Sequence, residues 1–313
     1  MQQKQPFWGK TILLIALTLI ATSGLRAQQS KTDSLSKSNK RKTFVLAGNG
    51  VAYSATMFGL YNLWYKDYPL TTFHFHNDNK HWNQMDKVGH AYSCYYEGVV
   101  GIDMLKWAGF SHKTASIVGG SYGFFIQTGI EVLDGFSEEW GASTGDIIAN
   151  AIGTGMVVSQ SLLWDEQRVW MKVSYQPTTY ANIRPELLGA NALARLFKDY
   201  NGQTYWLSGN INSFLRDDHP FPNWLNIAVG YGIDGFVSAD DNRFERKNVV
   251  FDYTHIPQGR QFYLTPDIDL TRIKTNNKAL KISLRLLNCI KFPLPGLTYN
   301  TKSQKLDFNF IQF

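Results

Sequence analysis

Hydrophobic and polar positions divide the chain into a leader, a helical half, and a half in which the apolar period falls to two. Lys4 and Lys10 precede an apolar run from Thr11 to Ala21, and Ser23-Gly24-Leu25-Arg26-Ala27 follows it. That order predicts an export signal over residues 1–27 with cleavage after Ala27, since the run is short for a membrane span. Residues 28–43 are polar, QQSKTDSLSKSNKRKT, and predict a flexible linker. Thr43–Tyr65 then runs for 23 residues without a charge. Three more apolar segments of helical length lie near Val88–Phe110, Thr114–Leu133 and Thr144–Leu163. Gly119 with Gly123, Ala149 with Gly153, and Ala151 with Gly155 form small-xxx-small pairs of the kind that let helices approach closely. Residues 44–165 read as a four-helix unit embedded in a membrane or pressed onto one.

From residue 166 the pattern is that of strands. Val169, Met171, Val173 and Tyr175 alternate, as do Leu225, Ile227, Val229 and Tyr231, and RQFYLTPDIDL and KLDFNFIQF follow in part. A short helix, ALARLFKDY, stands between the first two and ends at Asn201-Gly202. Residues 273–291 fit two patterns. Lys274, Lys278, Lys281 and Arg285 share one helical face with Ile273, Leu280, Leu284 and Leu287 opposite, while Leu280, Ile282, Leu284 and Leu286 also alternate. The basic stripe holds register over three turns, which favours an amphipathic helix. Pro293 and Pro295 end either element. The fold class is α+β: an N-terminal membrane-associated four-helix unit, then a strand-rich region over 166–313 with one amphipathic helix. Four to six strands are too few for a bacterial outer-membrane barrel.

Composition and charge narrow the partners. The 313 residues carry 31 basic and 25 acidic side chains, a net charge of +6. Residues 1–27 hold +3 of that and residues 28–43 hold +4, which leaves −1 for the body. A near-neutral body argues against nucleic acid as a partner. Mean hydropathy of −0.24 argues against a fully polytopic protein. The two cysteines, Cys94 and Cys289, read as separate buried thiols.

The polar residues inside the apolar segments carry the candidate chemistry, because a carboxylate there is costly unless paired or liganded. Val88–Leu163 holds Glu97, Asp103, Glu131, Asp134, Glu138, Glu139 and Asp146 against Lys106 and Lys113. Asp86 and His90 are four apart, Glu131 and Asp134 three apart, and Asp146 and Asn150 four apart, so each pair shares a helix face. Converged, they offer oxygen and imidazole groups to a divalent metal or to a polar head group. Lys87 either neutralises a carboxylate or meets a phosphate. Simpler roles compete: Ser143 as a helix cap, Asp86 and Asp146 at helix starts, His90 as a satisfied core histidine. Glu138 and Glu139 read as solvent-facing, and His74, His76 and His81 have a spacing that permits a metal site without specifying one. P-loop, nucleophile-elbow, HExxH and paired CxxC signatures do not occur in the sequence.

Asp86-Lys87-x-x-His90, Glu131-x-x-Asp134 and Ser143-x-x-Asp146-x-x-x-Asn150-x-x-Gly153-x-Gly155 together resemble the signature of VanZ-like membrane proteins. With the leader and KDYNGQTYWLS (Lys198–Ser208), the chain more closely resembles the YfiM-like family of periplasmic or outer-membrane proteins of Gram-negative bacteria, a domain of unknown function. The resemblance implies an envelope role without an assigned reaction. Asp134 stands where VanZ-like chains carry glutamine, the arginine before the serine is missing, and no cysteine follows the leader as in lipoprotein members. The site is correspondingly more acidic and better suited to a metal.

The reading is an exported cell-envelope protein, in the periplasm or outer membrane. It is non-catalytic and binds a membrane lipid or lipid-linked glycan through Asp86, Lys87, His90, Glu131, Asp134, Asp146 and Asn150. One alternative is a hydrolase or transferase acting on a phospholipid or polyprenyl-linked substrate, with a divalent metal held by Asp86, His90, Glu131 and Asp146. The other is a purely structural protein.

Overall fold

The computed structural model describes residues 34–66, 68–215, 220–246 and 248–312. The export signal lies outside the described residues. The chain divides into two compact units. The helical unit runs to Asn79 and resumes over Lys87–Glu166; the sheet unit takes Lys80–Asp86 and everything from Gln167.

In the helical unit, α1 spans Ser34–Leu60 and continues as a π turn over Tyr61–Tyr65. Helix α2 covers Met85–Ala108, α3 covers Tyr122–Gly135, and α4 covers Thr144–Trp164. The four apolar segments are thus helical. The polar stretch read as a linker differs, because α1 begins inside it at Ser34. A π turn at Ala115–Gly119 leads into α3.

Close approach of backbones holds α2, α3 and α4 together. A Cβ on Gly153 would lie 2.0 Å from the Ala91 carbonyl oxygen, and one on Gly123 would lie 2.5 Å from the Cys94 backbone. Gly119 meets Gly101 in the same way, at 2.5 Å. Two of the three small-xxx-small pairs therefore mark real contacts. The third does not: Ala151 is exposed, and a Cβ on Gly155 would have nothing within 4 Å.

The sheet unit is a six-stranded antiparallel sheet in the order β1-β2-β3-β6-β7-β8, with a separate β4–β5 hairpin. The strands are β1 Val169–Tyr175, β2 Gln203–Asn210, β3 Leu225–Asp234, β4 Arg243–Arg246, β5 Val249–Asp252, β6 Gly259–Ile268, β7 Leu294–Asn300 and β8 Lys305–Gln312. Helix α5, Ala192–Lys198, precedes β2, and the ambiguous segment forms helix α6, Lys278–Leu287, capped by the Asn277 side chain. Pro295 does not end the element. It sits inside β7 at a register shift between Leu294 and Gly296, where a residue that cannot donate is tolerated.

Residues 80–86 join the sheet unit through a strained turn. Trp82, Asn83 and Gln84 have φ of 50°, 46° and 65°, a left-handed run that costs roughly 1–3 kcal/mol per residue. Buried Trp82 donates its N–H to the Ala239 carbonyl at 2.7 Å and packs edge-on against Tyr200. The Tyr231 hydroxyl donates to the Asn83 carbonyl, and Arg260 donates to Gln84.

Behind the sheet lies a buried charged group. Lys172 Nζ stands 2.7 Å from Asp267 Oδ2, which also accepts from Ser208, and Lys291 Nζ lies 3.9 Å from Asp267 Oδ1. Burial first, then the Lys172 charge, pull the Lys291 ammonium down to about 8, with Asp267 opposing them.

Two predictions follow from these contacts. Gly153→Ala lowers unfolding stability in detergent by at least ~2 kcal/mol, whereas Gly155→Ala changes it by less than ~1 kcal/mol; denaturant titration checks both. Because Lys291 loses its proton in the folded state at about 8 but in the unfolded chain only near 10.5, the unfolded state binds more protons between those values. Stability therefore rises over that window, and in Lys291→Met the rise flattens, as thermal melts across the pH series will show.

Candidate functional site

Three helices turn polar side chains toward one another at helical spacing. Helix α2 contributes Lys87, His90, Cys94 and Glu97, α3 contributes Gln127, Glu131 and Asp134, and α4 contributes Asp146, Asn150 and Ser161. Their outer faces are apolar: Ile148 and Ile152 are 61% and 62% exposed, while Asp146 and Asn150 on the same helix are 2% and 0% exposed. Phe125, Val132 and Leu163 are likewise exposed. Helix α4 is long and apolar enough to cross a membrane, with a third of its apolar stretch buried. Apolar side chains such as Tyr95, Val99, Ile102, Ile130 and Val157 are buried beside these polar ones, so the helices enclose a polar cluster within a mixed interior while the outer faces of α3 and α4 stay apolar.

Lys87 is the cation around which one end is built. Its Nζ lies 2.8 Å from Asp78 Oδ1 and 2.9 Å from Asp146 Oδ1. The first turn of α4 comes this close because residue 145 is glycine; a Cβ there would lie 2.1 Å from Asn79 Oδ1 and 3.1 Å from Lys87 Cε. Ser143 caps α4, accepting the Asp146 N–H at 3.2 Å and donating its hydroxyl to Asp78 at 2.6 Å. Of the two roles open to Lys87, neutralising carboxylates is the one the geometry shows.

One turn along α2, the His90 ring bonds to α4 and faces α3. Its Nδ1 is 3.0 Å from Asn150 Oδ1. Its Nε2 lies 3.9 Å from Glu131 Oε1 and 3.8 Å from Asp146 Oδ1, beyond direct hydrogen-bond reach. The other Glu131 oxygen accepts the Ser143 N–H at 2.8 Å, so this carboxylate pins α3 to the start of α4. Asn150 Oδ1 also accepts from the Cys94 thiol at 3.3 Å. Deeper still, Gln127 Nε2 donates to Glu97 Oε1 at 2.8 Å, and the Ser116 and Ser161 hydroxyls meet at 2.8 Å.

The structure therefore gathers Lys87, His90, Glu131, Asp146 and Asn150 into one cluster. Asp134 sits on the same face of α3 and accepts the Tyr65 hydroxyl at 2.5 Å, where Tyr65 packs on Trp140. Asp86 shares its α2 face with His90, and its carboxylate accepts the Tyr200 hydroxyl at 2.8 Å. Burial first, then the Asp86 charge, hold the nearby Tyr205 hydroxyl well above the usual tyrosine range. The loop histidines take separate places: His74 and His76 lie against Gly141, while His81 pairs with Asp240 at 3.3 Å. Cys94 and Cys289 are not joined in a disulfide. Glu138 is exposed.

Sequence reasoning missed Asp78 and Tyr65. Asp78 lies in the histidine-rich loop, where the histidines drew the attention; the turn-forming run Asn77-Asp78-Asn79 was the available signal. Tyr65 looked like the apolar end of a span. Gln127, four residues before Glu131, was legible as part of the same polar face.

Five carboxylates, Asp78, Glu97, Glu131, Asp134 and Asp146, are each 6% exposed or less; Asp78 and Asp146 meet Lys87, Glu131 and Asp146 lie near His90, and Gln127 and Tyr65 donate to Glu97 and Asp134. Such an interior accepts hydrogen bonds and cations far more readily than it accepts anions.

Residues 74–161 match the family described as "Predicted periplasmic lipoprotein (DUF2279)". The matched stretch contains every member of the Lys87–His90 cluster. No curated protein and no solved structure matches the chain. The protein is an exported component of the cell envelope.

Lys87→Met is expected to cost ~3–5 kcal/mol, since it leaves Asp78 and Asp146 buried without their shared cation. Adding Asp146→Asn to Lys87→Met restores at least half of that loss, read from unfolding midpoints in the same detergent.

Proposed function

We propose that the helical unit is embedded in a membrane of the envelope and binds the head group of a lipid or lipid-linked glycan at the Lys87–His90–Glu131–Asp146–Asn150 cluster, without catalysing a reaction. The observation that carries this reading is the acidic, acceptor-rich cluster buried between helices whose outer faces are apolar. Acceptor-rich walls select a donor-rich ligand, which favours sugar hydroxyls or an ammonium over a bare phosphate. The VanZ-like and YfiM-like resemblance of the motif residues agrees with an envelope role of this kind. Asp134, at the flank, would orient rather than contact the ligand.

Lipid extracted from protein purified in mild detergent, and identified by mass spectrometry, tests the proposal. One amine-bearing or glycosylated lipid species should copurify near one equivalent, and His90→Ala and Glu131→Gln should each lower it at least tenfold. Equal lipid profiles in wild type and both variants would refute it.

A specific observation keeps a second reading in view. His90 Nε2 lies 3.9 Å from Glu131 Oε1 and 3.8 Å from Asp146 Oδ1, so either carboxylate could share one ion with the imidazole, given metal–ligand bonds of about 2.0–2.2 Å. A divalent metal held there would activate water in a hydrolase or transferase acting on a phospholipid or polyprenyl-linked substrate. Elemental analysis distinguishes the two: an equivalent of divalent metal, lost in Asp146→Asn, favours this enzyme reading.

A further inference from the structure

The six-stranded sheet also turns apolar side chains outward, with a period of two, on residues that the helical cluster does not involve. Pairing registers place Leu207, Val229, Leu264, Leu297 and Phe308 in one row across β2, β3, β6, β7 and β8. One pleat along, Tyr231, Phe262, Tyr299 and Leu306 form a second row. Every residue of the first row is at least 37% exposed. The alternating positions behind them, Ser208, Asn226, Thr265 and Asp267, are buried. They are also bonded to one another: Asn226 Nδ2 donates to Ser208 Oγ at 2.8 Å, and Ser208 donates to Asp267 at 2.6 Å. A half-exposed sheet in water turns its polar positions outward. This one turns Ser208, Asn226, Thr265 and Asp267 inward, beside the apolar Trp206, Ala228 and Tyr263 of the same buried face.

We propose that this apolar face lies against the hydrocarbon of one leaflet of a lipid bilayer. Two features of the sheet unit select lipid as the occupant. The exposed rows mix aliphatic side chains with tyrosine and phenylalanine, a composition suited to the zone between acyl chains and head groups. In addition, β8 is an edge strand, and unpaired main-chain groups are excluded from hydrocarbon. An open sheet can therefore immerse its face without crossing the bilayer, which sets a face-down orientation on one leaflet.

The test uses the full chain reconstituted in vesicles of phosphatidylethanolamine and phosphatidylglycerol whose acyl chains are brominated at shallow positions. An environment-sensitive fluorophore is attached at Val229→Cys, Leu264→Cys or Phe308→Cys in a Cys289→Ser background, with Thr254→Cys in an exposed loop as control. Ile227→Cys, on the same face, replaces any variant that loses its far-ultraviolet sheet signal. The brominated lipid should lower emission at the three face positions at least twofold and leave position 254 unchanged, while aqueous iodide should do the reverse. Quenching of the face positions by iodide but not by brominated lipid would overturn the proposal. So would protection from both quenchers, which would mean that a second copy or another protein covers the face. Quenching is read at each label, so a helical unit that anchors the chain by itself cannot produce the expected pattern.

Discussion

The shared hold of Asp78 and Asp146 on Lys87 organises the helical unit. A lysine this deeply buried is stable only with its charge matched and its protons bonded, and neither aspartate can be buried without it. The pair of contacts fixes where the loop before α2 and the first turn of α4 meet. That in turn sets Ser143 to cap α4, brings Glu131 onto the Ser143 N–H, and places Asp146 beside His90. Gly145 is the steric condition for the whole arrangement, because any side chain there would occupy the space of Asn79 and the lysine stem. The glycine contacts between α2, α3 and α4 then keep the polar faces close enough to bond.

On the proposed membrane placement, this organisation accounts for a polar cluster lying beneath the exposed Ile148 and Ile152. In water, the hydrophobic effect would drive Ile148 and Ile152 inward and leave Asp146 and Asn150 outside. In a bilayer the outward drive for polar groups disappears, and the same groups gain most by bonding to one another. The sheet unit follows the same logic with different geometry. Its buried face is tied together by Asp267, Ser208, Asn226 and Lys172, and its apolar face is left outward.

Much of this was legible in the chain, and the rest was hidden for identifiable reasons. Apolar runs of helical length and period-two alternation located the four long helices and strands β1, β3, β6 and β8. The spacing of Asp146 and Asn150, and of Glu131 and Asp134, placed each pair on one face. Strand β7 was obscured because Pro295 reads as a terminator, whereas a register shift accommodates it. Residues 34–43 read as linker because charge and serine dominate them, yet they continue the helix that the following apolar run nucleates. Asp78 was invisible as a site residue because its role depends on Lys87 and Ser143, nine and sixty-five residues away. Asp86, adjacent to Lys87 in sequence, bonds to Tyr200, more than a hundred residues later, through a left-handed turn that no local pattern announces.

The central claim is that the cluster around His90 receives a polar ligand from the membrane. A high-resolution structure of the protein held in lipid nanodiscs prepared from its own envelope tests this most directly. The account predicts density for a donor-rich group within about 3 Å of the Glu131 and Asp146 carboxylates, beside His90 Nε2. A His90 ring drawn into direct hydrogen bonds with both carboxylates, with no density beside them, would contradict it.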